Sequence, residues 1–147
     1  MNLPSLSSET LHASCVAKGG RAMLISGASG SGKSDLALRL IDRGAKLVSD
    51  DYTVVQRVEG RLLASAPKTI AGKMEVRGLG LVEMEPVRDV PVCLVIDLAR
   101  GATRIPDLED FLMVAGVKLP VIGLNGLEAS APLKVEMALD RFGLSVD

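Results

Sequence analysis

The sequence predicts an α/β fold in which a mixed β-sheet is flanked by helices. Three observations support this prediction. Residues 27–34 read GASGSGKS, a complete phosphate-binding loop (P-loop) pattern. An apolar run at residues 22–26 precedes the pattern and a segment with helical periodicity follows it, so the local order is strand, loop, helix. Strand-like segments elsewhere are separated by glycine turns, which indicates hairpins in the same sheet.

The first elements follow from local pattern. Residues 10–17 and 21–26 predict two antiparallel strands, because both are rich in apolar residues and a Lys-Gly-Gly turn separates them. Residues 35–42 predict a helix, because their apolar positions share one helical face. We expect Gly44 to end this helix, since a glycine readily adopts the left-handed conformation found at helix ends.

The remaining elements are predicted in the same way. Apolar runs bounded by turn residues predict strands at residues 45–49, 52–59, 61–66, 90–97 and 119–122. The second and third of these flank Gly60 and predict a hairpin, and residues 67–73 predict a loop. Residues 107–115 predict a short helix, and residues 132–142 predict a closing helix with a proline in its first turn.

Composition limits the class of protein. The chain has 147 residues, which favours a single domain over residues 1–147. A net charge of −1 and a single tyrosine without tryptophan argue against nucleic-acid binding. No signal peptide is evident, and the longest apolar run stops at Asp97, too short to cross a membrane. Cys15 and Cys93 lie in apolar runs, which indicates buried reduced thiols. With neither a signal peptide nor a membrane span in the pattern, we expect a cytoplasmic protein.

The P-loop pattern predicts a site for a nucleoside triphosphate with magnesium. The loop's glycines allow a tight turn whose N–H groups point at phosphate oxygens. Lys33 supplies a cation for the outer phosphates, and the Ser34 hydroxyl is a hard ligand for Mg²⁺. The predicted nucleotide-binding residues are Gly27, Ala28, Ser29, Gly30, Ser31, Gly32, Lys33 and Ser34.

A second acidic group near the metal is expected, and the pattern offers two candidates. Asp97 follows the better apolar strand, whereas Asp50 and Asp51 end a shorter one. Two adjacent carboxylates allow one to lie near the metal while the other acts as a general base. The alternatives are a strand-end turn residue for Asp97 and an acidic turn for the pair, and the pattern leaves this choice open.

Two further residues are candidates with weaker support. His12 is the single histidine of the chain, and its spacing favours a packed or surface residue over a catalytic one. Glu75 lies beside a glycine-rich turn, where a solvated acid is as good an interpretation as a metal ligand.

Four segments, in order, resemble the catalytic domain of HPr kinase/phosphorylase. They are Leu11-His12-Ala13, the P-loop, RGAKLVSDD at residues 43–51 and EVRGLGL at residues 75–81. The resemblance implies a P-loop fold with a phosphoenolpyruvate-carboxykinase-like nucleotide-binding core. It also implies an ATP- and Mg²⁺-dependent kinase that phosphorylates a serine on HPr, the phosphocarrier of the phosphotransferase system. Members of the family form homo-oligomers, often hexamers.

The resemblance also implies a role for each matching residue. The implied catalytic residues are Asp51, His12, Lys33 and Arg104. The implied metal ligands are Ser34, Glu75 and Asp50, of which Asp50 is a ligand or an orienting group. Asp51 is the proton acceptor for the substrate serine, and Lys33 neutralises the transferring phosphoryl group. With these assignments the role of Asp97 is mostly structural. The resemblance also makes His12 an active-site residue, in contrast to the packed or surface position that its spacing favours.

Two departures from the family modify the expectation. The match begins near residue 10, so the chain resembles a short form without the family's N-terminal domain. Residues 120–125 contain no Lys or Arg, although the family has a basic segment there that is tied to the phosphorylase direction. We therefore expect a kinase with weak or absent phosphorylase activity. The alternatives are a small-metabolite P-loop kinase and a non-catalytic nucleotide-binding regulator.

Overall fold

The structure is a computed structural model that describes residues 7–102 and 110–146. Within these ranges the chain forms eleven strands and two helices. In chain order they are β1 (Ser8–Leu11), β2 (Ala13–Lys18), β3 (Arg21–Ser26), α1 (Lys33–Asp42), β4 (Lys46–Ser49), β5 (Thr53–Val58), β6 (Arg61–Ser65), β7 (Lys73–Val76), β8 (Gly80–Glu83), β9 (Val90–Asp97), β10 (Phe111–Val114), β11 (Val117–Gly123) and α2 (Ala131–Phe142).

Nine strands form one mixed sheet, as the sequence predicts. Its main path runs β1-β5-β6-β9-β3-β2-β4, and the β10–β11 hairpin joins it through β11, which pairs with β9. Strands β3, β9 and β11 are parallel neighbours, whereas the other pairs are antiparallel. The carboxyl ends of these three strands therefore meet at one edge, which is where ligands bind in α/β sheets.

The strand that leads into the P-loop is buried on both faces. Met23 and Ile25 belong to a core cluster that includes both helices, and Ala22 and Leu24 belong to a second cluster on the opposite face. This division follows from the two-residue period of a strand. Because β3 is held from both sides, the loop that follows it starts from a rigid position.

Two predicted elements are wrong. The strand predicted over residues 10–17 is broken at His12, because its first part pairs with β5 while β2 pairs with β3 and β4. The helix predicted over residues 107–115 is replaced, within the described residues, by β10. Ala115 and Gly116 have φ angles of 47° and 81°, which suit the two-residue turn of a tight hairpin to β11.

The cysteine prediction is confirmed. Cys15 and Cys93 are free and buried, and burial raises the pKa of both thiols. Neither helix of the described residues is long and apolar enough to cross a membrane.

Glu136 of α2 ties both helices to the sheet. Its carboxylate accepts hydrogen bonds from Lys18 at the end of β2 and from Arg43 Nε at the end of α1, the latter at 2.7 Å. Burial by itself raises the pKa of Glu136, but the hydrogen bonds and positive charges of Lys18 and Arg43 together outweigh it and lower that pKa.

We expect Glu136→Gln to lower the free energy of unfolding at neutral pH by about 1–2 kcal/mol. A carboxyl whose pKa is lower in the folded state stabilises the fold above its unfolded pKa, and the contribution is lost as the pH falls through the folded value. The difference between wild type and variant should therefore be full at neutral pH and shrink in acid below about pH 4. Urea unfolding across this range measures it.

The matched control is Asp140→Asn on the same helix, because the exposed Asp140 carboxylate lies 3.6 Å from Arg21. It should change the stability by less than about 0.5 kcal/mol. An equal effect of both substitutions, or a Glu136 effect that does not depend on pH, would contradict this account.

Candidate active site

The P-loop connects β3 to α1 in the predicted order. Gly30 and Gly32 have φ angles of 81° and 95°, a region that glycine adopts without strain. At Gly27 a Cβ would lie 2.6 Å from Ser31 Oγ, so a side chain is excluded by space as well. The loop ends at Gly32, the N-cap of α1, so the positive end of the helix dipole faces the loop.

The P-loop holds a buried cation. Lys33 is 6% exposed, and its Nζ donates to the carbonyl oxygens of Gly27 at 2.9 Å and Ala28 at 3.1 Å. No carboxylate of the described residues forms an ion pair with it. Ser31 Oγ is buried in the same loop without a hydrogen-bond partner among the described residues. A buried ammonium without an anion and an unsatisfied hydroxyl both fit an anion bound at this loop.

Asp50 is the acidic counterpart of this cation. Its side chain is almost completely buried, and Oδ1 accepts from Ser34 Oγ at 2.6 Å and from Ser14 Oγ at 3.2 Å. Oδ2 accepts from the backbone N–H of Glu75 at 3.1 Å. The carboxylate therefore joins the start of α1, the start of β2 and strand β7.

A tight turn separates Asp50 from its neighbour. The N–H of Tyr52 donates to the carbonyl oxygen of Asp50 at 2.7 Å, with Asp51 between them at φ 68°. This is a γ-turn with positive φ, a rare and strained conformation that costs about 1–3 kcal/mol. The N–H of Asp51 donates to Ser14 Oγ at 3.0 Å, which helps to hold the strained backbone.

The turn gives the two aspartates opposite directions. Asp50 points inward to Ser34, while the Asp51 side chain is 51% exposed and its Oδ1 lies 2.9 Å from His12 Nε2. An ionised carboxylate only accepts, so His12 Nε2 carries the proton in this hydrogen bond. The His12 ring also stacks on Tyr52, with the ring centroids 5.0 Å apart.

The other candidate carboxylate has structural partners. Asp97 ends β9 beside Ser26, but its Oδ1 accepts from the N–H of Ala99 at 2.9 Å. Its Oδ2 accepts from Arg100 Nε at 3.0 Å. Between the two choices that the apolar pattern leaves open, the contacts favour Asp50 and Asp51 as the acidic groups of the site, as the family resemblance does.

The structure places most of the predicted site residues together, with two qualifications. Glu75 joins the site through its backbone N–H, and the residue itself is exposed. Arg104 lies outside the described residues. Sequence reasoning missed Ser14 and Tyr52. Two features of the sequence could have indicated them: Ser14 is a hydroxyl residue within an apolar strand, and Tyr52 directly follows the aspartate pair.

These residues fit a magnesium ion that arrives with a phosphate chain. Among the described residues no group of three or more His, Cys, Asp and Glu side chains could hold a metal ion. Mg²⁺ commonly takes one or two protein oxygens and completes its octahedron with phosphate oxygens and water. Ser34 Oγ donates its hydrogen to Asp50, which leaves an oxygen lone pair for such an ion.

Comparison with known proteins points to one family. The model described as HPr Serine kinase C-terminal domain matches residues 5–89. The HPr kinase/phosphorylase of Clostridium tetani is 46% identical over 74 residues, which cover 50% of this chain and 24% of that protein. The HPr kinase/phosphorylase of Clostridium novyi is 34% identical over 140 residues, which cover 85% of this chain and 46% of that protein. The chain thus spans less than half the length of these relatives.

The fold agrees with a solved structure. The Hpr(Ser) kinase/phosphatase from Coxiella burnetii superposes with a TM-score of 0.76 at 27% identity, covering 90% of this chain and 88% of that chain. The mixed sheet with its helices is therefore a fold that this relative shares.

We expect Ser14→Ala to destabilise the fold by about 1–3 kcal/mol, because it leaves the Asp51 N–H without its partner and removes a donor from the buried Asp50. The control is Ser65→Ala. Like Ser14 Oγ, Ser65 Oγ donates to an aspartate carboxylate and accepts from a backbone N–H, both of Asp89, but this contact is exposed. Urea unfolding of both variants measures the difference. An equal loss in the two variants would contradict a special role for the buried hydroxyl.

Proposed function

This chain belongs to the HPr kinase C-terminal domain family, and on that premise we propose that it transfers a phosphoryl group from ATP to a serine of an HPr-like phosphocarrier protein. The observation that carries the proposal is the division of the two aspartates. Asp50 is bonded to the P-loop serine at 2.6 Å, while Asp51 faces outward beside His12. One carboxylate is thus placed for the metal side of the reaction and the other for the substrate side.

The P-loop holds the triphosphate in this proposal. Its N–H groups and Lys33 bind the outer phosphates, and Ser34, oriented by Asp50, binds Mg²⁺. A bound Mg²⁺ would neutralise part of the negative charge on the phosphates. Phosphoryl transfer depends mainly on positioning and charge neutralisation, so a rigid loop between buried strands and a dipolar helix suits the reaction.

Asp51 is the general base in this proposal. His12 Nε2–H donates to Asp51 Oδ1 and thereby orients the carboxylate, which leaves Oδ2 for the incoming serine hydroxyl. The hydroxyl proton passes to Asp51 as the serine oxygen bonds to the γ-phosphorus of ATP, and the bond from that phosphorus to the bridging oxygen breaks, so that ADP leaves. Stacking on Tyr52 fixes the plane of the His12 ring.

The surface around the site suits a protein substrate. The β7–β8 hairpin exposes Leu79 and Leu81, at 78% and 70%, and the same hairpin reaches Asp50 through Glu75. Exposed apolar side chains beside a site commonly mark contact with another protein. Arg100, which a small-metabolite kinase could use in an arginine lid, is instead paired with Asp97 and Asp110. The buried reduced cysteines suit a cytoplasmic setting.

We expect the purified chain to phosphorylate a serine of HPr when ATP and Mg²⁺ are present. Asp51→Asn should lower the transfer rate by about 10²–10⁴-fold with nucleotide affinity unchanged, because only the proton acceptor is lost. Lys33→Ala should weaken both nucleotide binding and transfer. Mass spectrometry of the carrier and calorimetric titration with nucleotide measure these effects.

A carrier variant without the acceptor serine is the control for phosphorylation at another residue. Labelling of a free metabolite while HPr stays unmodified would favour a small-metabolite kinase. Normal transfer by Asp51→Asn would place the base elsewhere.

We expect the phosphorylase reaction, in which inorganic phosphate attacks phosphoserine and pyrophosphate and the free serine are released, to be slower than the kinase reaction by about a hundredfold or more. Residues 120–125, which form the last part of β11 and the first two residues after it at the P-loop edge, carry no Lys or Arg to bind the phosphate nucleophile. Pyrophosphate release from phosphorylated HPr measures it, with the forward reaction of the same preparation as control. Comparable rates in both directions would refute this expectation.

A further inference from the structure

Leu127 is an exposed apolar side chain at the rim of the P-loop. Its exposed fraction is 73%, yet its Cδ2 lies 3.1 Å from the position that a Cβ on Gly32 would take. The side chain therefore lies against the last glycine of the loop, next to Lys33 and Ser34. Single exposed leucines are common on protein surfaces, so it is the contact with the P-loop, rather than the exposure by itself, that makes this leucine a candidate for contact with a ligand.

The segment that carries Leu127 is fixed to the helix of the P-loop. Arg39 of α1 donates through Nη1 to the carbonyl oxygen of Glu128 at 2.9 Å and through Nη2 to that of Gly126. The N–H of Leu127 donates to Asn125 Oδ1 at 3.0 Å. The leucine is thus held in position relative to α1 by bonds on both sides of it, so little ordering is needed when a ligand covers it.

The position of this segment in the sheet also suits a ligand contact. It follows β11, and the N–H of its first residue, Leu124, donates to the carbonyl oxygen of Asp97 at the end of β9. Gly126 packs on Leu98, where a Cβ would lie 2.9 Å from Leu98 Cδ1. The segment therefore stands at the carboxyl edge of the three parallel strands, beside the loop that begins after β3.

We propose that the side chain of Leu127 contacts the nucleoside part of the nucleotide whose phosphates the P-loop binds; we call this apolar contact surface the nucleoside seat. This inference rests on the proposed function. The base or ribose covers the leucine face and buries apolar surface that is otherwise in water.

The same contacts predict how selective the seat is. Three polar backbone groups around Leu127 already have partners within the protein, namely the carbonyls of Gly126 and Glu128 and the N–H of Leu127 itself. The apolar side chain of Leu127 can contact the face of a base, and it offers no hydrogen bond to the edge that distinguishes adenine from guanine. Apolar contact discriminates weakly between ligands of similar size, so ATP and GTP should bind with affinities within about tenfold of each other.

The experiment compares Leu127→Ala with wild type by calorimetric titration with three probes, all with Mg²⁺: ATP, GTP and inorganic tripolyphosphate. The variant should bind ATP and GTP about tenfold more weakly and bind tripolyphosphate unchanged, because this last probe has no nucleoside. Leu127→Phe keeps an apolar face and should bind both nucleotides at least as tightly as wild type.

The matched control is Leu144→Ala. Leu144 is a partly exposed leucine whose N–H donates to Cys93 and whose carbonyl accepts from Arg21 at the start of β3, the end opposite the P-loop. It should bind all three probes like wild type.

Three results would overturn the inference. Unchanged ATP affinity in Leu127→Ala would show that Leu127 does not contact the nucleoside. An equal loss of tripolyphosphate affinity would show that Leu127 belongs to the phosphate site instead. A wild-type preference for ATP over GTP far above tenfold would contradict recognition by the face. Absence of tripolyphosphate binding to wild type is a different failure, since it would refute the triphosphate site of the proposed function itself.

Discussion

The buried carboxylate of Asp50 is the interaction on which the site depends. It accepts hydrogen bonds from Ser14, Ser34 and the backbone of Glu75, which come from β2, α1 and β7. A buried charge destabilises the fold unless hydrogen-bond donors satisfy it. The three segments must therefore lie where each of them can donate a hydrogen bond to the Asp50 carboxylate. The arrangement brings together the P-loop serine, the aspartate pair and the hairpin of Glu75, which are far apart in the sequence.

A strained turn then converts one dipeptide into two chemical groups. On a regular strand, the side chains of two neighbouring residues point to opposite faces of the sheet. The γ-turn at Asp51 instead ends the strand, leaves Asp50 under the P-loop and puts Asp51 at the surface beside His12. Residues on both sides hold the turn, since Ser49 Oγ donates to the carbonyl of Tyr52 and Thr53 Oγ1 donates to that of Ala13 at 2.8 Å. Strain of this kind persists only where the surroundings fix it, and it is common at functional sites.

The P-loop and the aspartate complement each other electrostatically. Lys33 is a buried cation held by carbonyl oxygens, and Asp50 is a buried anion held by hydroxyl and amide hydrogens. Ser34 lies between them in the chain of contacts, because it follows Lys33 and donates to Asp50. A magnesium–phosphate unit carries both signs of charge, so it suits a site built in this way. The rigid segment at Leu127 lies at the rim of the same site, where we propose that it meets the rest of the nucleotide.

The sequence by itself determined the strand–loop–helix unit around residues 27–34, the mixed sheet, the buried thiols and the family, because each of these is written in short patterns of neighbouring residues. It did not determine the break of the first strand at His12, because this break depends on pairing with the distant strand β5. It also missed the strand at residues 111–114, because the turn at Ala115 and Gly116 that pairs this strand with the adjacent β11 was not recognised. The apolar pattern left the choice between Asp97 and the aspartate pair open, the family resemblance preferred the pair, and the contacts of each carboxylate favour the pair as well. Only the tertiary structure showed the roles of Ser14 and Leu127. Ser14 contacts Asp50, 36 positions away in the sequence, and Leu127 contacts Gly32, 95 positions away. Folding alone brings residues so far apart into contact, so no local pattern could indicate these roles.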